Sequence, residues 1–356
     1  MTTTAELADR IFDGILGTYD TWSIYVGDKL GFYREMRDGD PLAAEVLARK
    51  TGVHARYARE WLEQQAVSGF IVCDDPDLPA EERLYRLDAA GAEVFTDDLS
   101  VNFLAPFVRL VTSAGLQLPA LLKAYQSGGG VSWSQFGDDM RTGQAEMNRP
   151  WFLAALARDW FPAVPEIQAR LEAGAMIADI GCGEGWSSIA FARGYDNVSV
   201  DGYDLDAPSI KAAKDHADAA GLSDRVRFHQ VDAGIVDRAQ TYDLVTAFEC
   251  IHDLAQPVPV LKAMRRLVKP DGHVVVMDER VNESFVGPVA GDVERLMYGF
   301  SLFTCLPDGL SHQPSVGTGT VMRPATLEGY ARDAGFAGVE ILLIENELWR
   351  FYRLLH

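Results

Sequence analysis

The sequence is poor in cysteine, and its four cysteines, at positions 73, 182, 250 and 305, lie far apart. Without a C-x-x-C pair, this spacing indicates neither a zinc ribbon nor a disulfide framework, and it fits a reducing cytoplasm. Long hydrophobic runs are also missing, since no apolar stretch reaches the ~20 residues of a membrane span. The first residues lack the basic and apolar segments of a signal peptide. We therefore expect a cytoplasmic protein with no membrane partner.

Basic residues are in the minority, with 32 Lys and Arg against 52 Asp and Glu, for a formal charge of −20. Affinity for nucleic acid comes mostly from Lys and Arg, so this balance disfavours nucleic acid as a partner. It disfavours an anionic membrane surface for the same reason. The length of 356 residues suggests two domains, and the 48% hydrophobic content is enough for a sizeable core.

The first hundred residues predict an α-rich domain. Leu7, Ile11 and Ile15 recur at helical spacing, and their stripe fits either a homodimer surface or docking on the same domain. Residues 41–72 predict a helix, a turn at Gly52, a second helix and a β-rich end, followed by a two-stranded wing within residues 82–95. Residues 1–100 hold 20 acidic and 10 basic side chains, which favours a structural or dimerising winged helix over one that reads DNA.

Beyond residue 100 the pattern changes twice. Residues 101–170 are mostly helical and are expected to form a linker and a substrate-pocket region. From residue 171 to residue 356, short apolar strands alternate with amphipathic helices, which predicts a doubly wound α/β sheet. The last two predicted strands are separated only by Asn346 and Glu347, too few residues for a helical crossover. The last strand should therefore be antiparallel to its neighbour.

A glycine-rich segment follows the first strand of this sheet. Gly181, Gly183 and Gly185 alternate with other residues and are followed by Trp186. In the dinucleotide fingerprint G-x-G-x-x-G, the third glycine would stand where Trp186 stands, and Glu184 would repel a phosphate. A pyrophosphate, and with it a dehydrogenase, is therefore disfavoured. No G-K-[ST] follows, which excludes a P-loop.

This G-x-G-x-G loop, preceded by an acidic residue, resembles the first motif of class I S-adenosylmethionine-dependent methyltransferases. The resemblance implies a Rossmann-like seven-stranded domain that binds S-adenosylmethionine. It assigns the amino end of the methionine to Asp179, both ribose hydroxyls to Asp204, and the adenine to Asp232 and Ala233. A carboxylate suits the ribose because it only accepts hydrogen bonds and can take two donors. The full set of implied cofactor residues is Asp179, Gly181, Cys182, Gly183, Gly185, Asp204, Leu205, Asp232, Ala233 and Glu249.

The segment 251–254, Ile-His-Asp-Leu, is similar to a motif of small-molecule O-methyltransferases that carry an N-terminal winged-helix dimerisation domain. This similarity implies that His252 is the general base, oriented by a carboxylate at Asp278. The family usually has Glu at that position, and Asp is one methylene shorter, so Asp253 and Glu279 are alternatives for the contact. A histidine near neutrality can take the proton of a hydroxyl or phenol, which must be lost for efficient attack.

Nearly the whole chain resembles a group of actinobacterial winged-helix methyltransferases, through segments such as "GDKLGFYR", "EMNRPWF" and "CLPDGLSHQPSVGTGTVMRPATL". The resemblance implies a homodimer that methylates a small molecule. Residues 283–324 are expected to form a lid over the substrate. The candidate substrate contacts are Met147, Asn148, Trp151 and His312.

Two other functions remain open from the sequence. Some relatives of the same fold methylate carbon with bound iron, and His252, His312 and Asp253 could ligate such a metal. Their spacing forms no metal motif, so we expect no metal. The second alternative is a regulator that senses S-adenosylmethionine and binds DNA through the winged helix, which the acidic charge disfavours.

Overall fold

The computed structural model describes residues 2–288 and 291–356. The chain forms two units, one ending at Ser113 and the other beginning at Ala114. The finer three-part division at residues 100 and 170 stays a prediction.

The N-terminal unit consists mainly of helices. Its elements are α1 (Thr4–Lys29), α2 (Phe32–Met36), α3 (Ala44–Thr51), α4 (Ala55–Val67), β1 (Val72–Cys73), β2 (Tyr85–Arg86) and α5 (Ala89–Thr96). Helix α1 starts at a capping box in which the Thr3 hydroxyl accepts from Glu6 N–H and the Glu6 carboxylate accepts from Thr3 N–H. Such reciprocal bonds satisfy two backbone donors that a helix start leaves without partners.

The helix–turn–helix is formed by α3 and α4, and the turn between them begins at Gly52, whose φ is 72°. The position of the wing differs from the prediction. Its two strands, β1 and β2, pair antiparallel. Strand β1 begins in the β-rich end predicted for residues 41–72, and only β2 lies within residues 82–95. The second half of that segment is helix α5, which Asp88 caps by accepting from Gly91 N–H at 2.8 Å. An Asp that caps the following turn favours a helix there over a strand.

Helices follow up to the first strand of the large sheet. They are α6 (Ala105–Leu116), α7 (Leu118–Ser127), α8 (Trp133–Phe136), α9 (Asp138–Ala155) and α10 (Pro165–Ala173). Between α9 and α10, residues Leu156–Trp160 form a π-helical turn and Phe161–Ala163 a 3₁₀ turn. Within the described residues, no single helix has the length and apolar composition to cross a membrane, while the bent pair of α6 and α7 meets the criteria by length and composition only.

The second unit is built on a seven-stranded sheet. Its strands are β3 (Met176–Ile180), β4 (Ser199–Asp204), β5 (Val226–Gln230), β6 (Tyr242–Phe248), β7 (Val268–Glu279), β8 (Gly338–Ile341) and β9 (Trp349–Leu355). Its remaining helices are α11 (Trp186–Gly194), α12 (Ala207–Ala219), α13 (Pro257–Leu267), α14 (Asp292–Phe300), α15 (Leu306–Ser311) and α16 (Pro324–Asp333). The strand order is β5-β4-β3-β6-β7-β9-β8, and β9 is antiparallel to both neighbours. The predicted fold class and antiparallel last strand are confirmed.

Strand β6 shows why the sheet has helices on both faces. All seven of its residues are buried. Leu244 and Phe248 belong to the hydrophobic cluster with α10, α11 and α12, whereas Val245 and Ala247 pack with α13 and α16 on the other face. Successive strand residues point to opposite faces, so a strand buried on both sides must be apolar throughout.

The loop before β9 is longer than predicted. Strand β8 ends at Ile341, and residues 342–348 connect it to β9, where the sequence indicated two residues. The backbone N–H of Leu342 still donates to Phe351 O at 2.9 Å, so pairing continues one residue past β8. Apolar residues continue beyond the strand here, which is why the pattern overestimated its length.

Candidate active site

The glycine loop lies at the carboxyl edge of the sheet, between β3 and α11. Gly181, Gly183 and Gly185 have φ values of 68°, 51° and 83°, the left-handed region that glycine adopts without strain. The backbone N–H groups of Gly181 and Cys182 donate to Tyr203 O at the end of the neighbouring strand β4. The loop is thereby fixed against β4, at the edge where doubly wound sheets bind their ligands.

Asp179 lies in β3 just before the loop and is 1% exposed. Its Oδ2 accepts from the hydroxyls of Ser187 at 2.6 Å and Ser188 at 2.7 Å, and its Oδ1 accepts from Thr246 at 2.9 Å. Burial raises the pKa of Asp179, and the three hydroxyl donors oppose that shift. These contacts make Asp179 an anchor between β3, β6 and the start of α11. Its assignment to the methionine stays a prediction.

Asp204 ends β4 and connects that strand to the glycine loop. Its Oδ2 accepts from Gly183 N–H at 2.9 Å, and its Oδ1 accepts from Asp206 N–H at 2.8 Å. Burial raises the pKa of Asp204, while these two backbone donors lower it. A carboxylate has about four lone-pair positions, so two remain for further donors such as sugar hydroxyls.

Two apolar side chains are exposed at neighbouring strand ends. Leu205 follows β4 and is 65% exposed, and Ile235, in the 3₁₀ turn Ala233–Ile235 after β5, is 70% exposed. Asp232 is exposed and caps that turn by accepting from Gly234 N–H at 2.8 Å, and Ala233 is the first residue of the turn. Exposed apolar surface beside a carboxylate suits a flat, partly polar ring. Cys182, by contrast, is buried, and burial raises the pKa of its thiol.

Glu249 follows β6 and takes an unusual backbone conformation for a non-glycine residue, with φ at 51°. Its Oε1 accepts from Trp349 Nε1 at 2.7 Å, and its Oε2 accepts from Asn148 Nδ2. Removal from water, together with the nearby Glu279 carboxylate, raises the pKa of Glu249 to about 8. A non-glycine residue held in the left-handed region is a frequent mark of a functional site.

His252 lies two residues beyond Cys250 and is 2% exposed. Its Nδ1 is 2.8 Å from Asp278 Oδ1 and 3.0 Å from Glu279 Oε2, both at the end of β7. A carboxylate can only accept, so Nδ1 carries the proton and donates to Asp278. On the other side of the ring, Nε2 is 3.2 Å from Asp253 Oδ1. The imidazole is therefore enclosed by three carboxylates.

This arrangement determines the charge of His252. Burial alone lowers the pKa of the imidazole, but the carboxylates of Asp253, Asp278 and Glu279 outweigh it and hold the pKa well above its usual value. Burial and the neighbouring carboxylate of Asp278 also raise the pKa of Glu279, while His252 opposes that shift. The carboxylates around His252 therefore favour its imidazolium form.

The other predicted substrate contacts are spread over several elements. Met147, Asn148 and Trp151 lie on α9, where Asn148 is buried and the other two are partly buried. Trp151 packs edge-on against Trp349, with ring centroids 5.5 Å apart. His312 follows α15 and is exposed. The lid prediction covers residues 283–324, of which residues 289 and 290 lie outside the described part of the chain.

Metal-ligand side chains meet in two groups around His252. The first contains His252, Asp253 and Cys305, and the second contains His252, Asp278 and Glu279, with the ligand atoms of each group within 4.8 Å of one another. Across residues 2–288 and 291–356, His312 belongs to neither group. The ligand set that the sequence suggested for a metal is therefore not brought together, and the expectation of no metal stays a prediction.

Several site residues carry no motif in the sequence. Cys305 ends the π-helical turn Ser301–Cys305 and lies beside His252 and Thr320. Ser187, Ser188 and Thr246 hold Asp179, and Trp349 holds Glu249 from the last strand. Glu279 was an alternative for orienting His252, whereas the structure places it there together with Asp278. Contacts between side chains about 100 residues apart, such as Trp349 with Glu249, leave no local pattern in the sequence.

Comparison with known proteins agrees with this geometry. A family described as "Methyltransferase domain" matches residues 171–305, and one described as "Rv2258c-like winged HTH domain" matches residues 21–97. The ubiquinone biosynthesis O-methyltransferase of Xanthomonas axonopodis pv. citri is 28% identical over 58% of this chain and 86% of its own. Its counterpart in Psychrobacter arcticus is 31% identical, covering 51% of this chain and 67% of the relative.

The fold is shared over the whole length with solved structures. Human N-acetylserotonin methyltransferase, in complex with SAM, superposes with a TM-score of 0.72 at 16% identity, covering 100% of this chain and 99% of that one. This likeness shows the fold, and the two matched domains and the 31% identical relative show the family. The chain belongs to the class I S-adenosylmethionine-dependent methyltransferases that carry an N-terminal winged helix–turn–helix domain.

Proposed function

We propose that the chain transfers the methyl group of S-adenosylmethionine to a hydroxyl of a small organic molecule, with His252 as general base. The observation that carries this proposal is the pair formed by His252 Nδ1 and Asp278 Oδ1, 2.8 Å apart, beside the strand end that carries Glu249. In its neutral form, an imidazole whose Nδ1 proton is held by a carboxylate presents Nε2 as the basic atom.

The residues at the carboxyl edge fit the nucleoside of S-adenosylmethionine. A Cβ added to Gly183 would meet nothing within 4 Å, so the backbone there is open to a ligand. Asp204 keeps two acceptor positions for the ribose, and Asp232 and Ala233 lie at the next strand end for the adenine. The exposed side chains of Leu205 and Ile235 supply the apolar contact that a purine ring needs.

The chain's own contribution to the reaction is positioning and proton handling. When bound, S-adenosylmethionine supplies a methyl group on a sulfonium cation for in-line displacement by the acceptor oxygen. The acceptor proton passes to Nε2 of His252, where Asp253 Oδ1 lies 3.2 Å away, and the opposite nitrogen remains bonded to Asp278. The three carboxylates stabilise the resulting imidazolium.

Small-molecule acceptors are also favoured by the relatives. The bacterial relatives are named for O-methylation in ubiquinone biosynthesis, and the human structure for N-acetylserotonin. A hydroxyl on an aromatic ring, with a pKa of ~10, is the kind of acceptor that a histidine base can serve. The acceptor pocket then comprises Asp253, Cys305 and the candidate contacts Met147, Trp151 and His312.

The test is incubation of the purified protein with S-adenosylmethionine and a panel of phenols, hydroxyquinones and keto acids. We expect products heavier by one CH₂, methylated on oxygen, from hydroxyl acceptors without added metal. Methylation of a keto acid on carbon, lost with a chelator and restored by iron, would instead support the metal-assisted alternative. Sequence-specific DNA binding at physiological salt, without turnover on any acceptor, would support a cofactor-sensing regulator.

We also propose that two copies of the chain associate through helix α1. Leu7, Ile11 and Ile15, the stripe seen in the sequence, are 51%, 58% and 47% exposed. About half of each side chain is accessible in the single chain, which argues against the alternative that the stripe docks on its own unit. Exposed apolar surface of this extent marks a protein interaction site, and a second copy of the same helix is the partner that fits it.

A further inference from the structure

Asn148 has a buried amide oxygen that lacks a hydrogen-bond partner among residues 2–288 and 291–356. The residue is 8% exposed, and its Nδ2 donates to Glu249 Oε2, which fixes the orientation of the amide. The other amide atom, Oδ1, is buried and accepts no hydrogen bond from the part of the chain that the structure describes. Leaving a buried acceptor unsatisfied is costly, so a donor is expected to reach it.

Glu249 lies directly beside this oxygen and is itself not fully satisfied. Its two carboxylate oxygens accept one hydrogen bond each, from Trp349 and Asn148, and a carboxylate can accept about four. Its backbone is held in the left-handed region, and the next residue, Cys250, packs against the glycine loop. A Cβ on Gly181 would lie 2.7 Å from Cys250 Sγ. Asn148 and Glu249 therefore present acceptors next to the loop.

Asp179, which the resemblance assigns to the amino end of the methionine, is already engaged. It is 1% exposed, and three hydroxyls donate to its two oxygens. An ammonium carries three N–H donors and needs acceptors that it can reach. The buried carboxylate under the loop offers it little, whereas the two side chains beside the loop offer free acceptor positions.

We infer that Glu249 and Asn148 together bind the α-ammonium group of the methionine moiety, with Glu249 supplying the charge and Asn148 Oδ1 a second acceptor. This inference rests on the proposed function, because it concerns the same cofactor. The sulfonium is the other cation of that molecule, but it has no N–H and cannot satisfy Asn148 Oδ1. The unpartnered amide oxygen therefore selects the ammonium.

The charge state of Glu249 adds a proton-linked signature. Burial and Glu279 raise the pKa of Glu249 to about 8, and His252 on the same side opposes that shift. A bound ammonium favours the ionised carboxylate, so binding at neutral pH releases a proton from Glu249. Affinity is expected to rise with pH from about 6 to about 7.5, below the range where an α-amino group itself deprotonates.

The experiment compares three ligands by isothermal titration calorimetry. S-adenosylmethionine has ammonium and sulfonium, S-adenosylhomocysteine has only the ammonium, and 5′-methylthioadenosine has neither. We expect Glu249→Gln and Asn148→Ala to raise the dissociation constants of S-adenosylmethionine and S-adenosylhomocysteine alike, by roughly 10- to 100-fold. The dissociation constant of 5′-methylthioadenosine should stay unchanged. The rise of affinity with pH should also disappear in Glu249→Gln.

Two matched variants serve as controls. Asp204→Asn should weaken the binding of all three ligands, because each contains the ribose. Glu172→Gln changes an exposed residue and should weaken the binding of none of them. Thermal unfolding of each variant shows whether it is folded, and 5′-methylthioadenosine binding shows whether the nucleoside site is intact. If Glu249→Gln is poorly folded, the comparison rests on Asn148→Ala.

Other outcomes would overturn the inference. Loss of S-adenosylmethionine affinity with S-adenosylhomocysteine unchanged would assign Glu249 to the sulfonium. Equal loss for all three ligands would mean that the pair only supports the fold, and unchanged affinity would remove it from the site. If the unmodified protein bound none of the three ligands, the proposed function itself would fail, which is a different result.

Discussion

At the scale of single residues, the charge around His252 determines the pH dependence of the reaction. The imidazole must be neutral to accept a proton, and its carboxylate neighbours hold its pKa well above the usual value. Turnover should therefore increase as the pH rises toward that raised pKa. Asp253→Asn removes the carboxylate that does most to raise the pKa of His252, 3.2 Å from Nε2, so the acid limb of kcat/KM should move to lower pH. An unshifted or oppositely shifted limb in a pH-rate profile would contradict this account.

Removal of the base itself gives a second residue-scale prediction. His252→Ala should lower kcat by ~10²–10⁴, the usual contribution of general base catalysis. Cofactor affinity should change little, because no cofactor contact is assigned to the imidazole. Steady-state kinetics and calorimetry measure the two quantities separately. Full activity in this variant would remove the base role and favour an acceptor that attacks without losing a proton.

Asp204 gives a prediction about binding alone. Asp204→Ala should weaken S-adenosylmethionine binding by roughly 1.5–3 kcal/mol, the range for hydrogen bonds to a charged group. The loss has two sources, since the carboxylate also accepts from Gly183 N–H and holds the loop. Calorimetry with 5′-methylthioadenosine should show a similar loss, because that ligand keeps the ribose. Unchanged affinity would rule out the ribose assignment.

The sequence could predict most of these residues and few of their partners. Asp204 and His252 stand in short motifs at strand ends, so their positions follow from the order of strands. The sequence could not settle whether Asp278 contacts His252, because Asp is one methylene shorter than Glu. In the structure, Asp278 Oδ1 lies 2.8 Å from His252 Nδ1. Asn148 and Trp349 reach Glu249 from elements about 100 residues away, and no local pattern encodes such contacts.

At the scale of elements, two glycines of one loop have different roles. A Cβ at Gly185 would lie 2.8 Å from Cε1 of Phe228 and 3.0 Å from Ala213 Cβ, whereas a Cβ at Gly183 would meet nothing within 4 Å. Both have positive φ, which costs an alanine roughly 1–2 kcal/mol. Gly185→Ala should lose a further ~1–3 kcal/mol by overpacking. Urea denaturation should therefore rank Gly185→Ala as the less stable of the two variants.

Ligand binding should show the opposite ranking of this pair. The open side of Gly183 is the surface proposed to face the cofactor, so a methyl group there would hinder its approach. Gly183→Ala is expected to weaken the binding of S-adenosylmethionine more than Gly185→Ala does. The affinity of Gly185→Ala is calculated for its folded fraction only. Equal binding by Gly183→Ala and the unmodified chain would show that the ligand does not approach the loop there.

Element boundaries followed from the sequence wherever periodicity was strong. Strand β6 and the glycine loop are where the pattern predicts them, because burial on both faces demands a continuous apolar run. The wing was only partly predicted, since one strand lies at the β-rich end near Val72 and the other, Tyr85–Arg86, lies within residues 82–95. The prediction failed where it placed both strands within residues 82–95, because the second half of that segment is helix α5. The end of β8 was overestimated because apolar residues continue into the loop at Leu342 and Ile344.

At the scale of the whole molecule, the sequence predicts the apolar stripe of α1 but does not indicate whether other residues bury it. Periodicity reports which side chains share a helix face, and burial depends on contacts elsewhere in the chain. The structure leaves the face exposed, including Phe12 at 59% and Tyr19 at 61%.

Self-association through α1 gives the last prediction. Light scattering should give a mass twice the chain's 39.1 kDa at micromolar concentration. The double variant Ile11→Asp and Ile15→Asp places two charges on the exposed stripe. Because burying unpaired charge is costly, the dissociation constant of the dimer should rise at least ~10-fold. The fold should survive, because both side chains are exposed in the single chain.

A charge on the opposite face of the same helix separates interface from helix stability. Gly17 lies about 200° around the helix from Ile15, and a Cβ there would meet nothing within 4 Å. Gly17→Asp should therefore leave the dimer intact. If both variants dissociate alike, the effect comes from the helix or the net charge. An unmodified chain that stays monomeric over the whole concentration range would rule out association through α1.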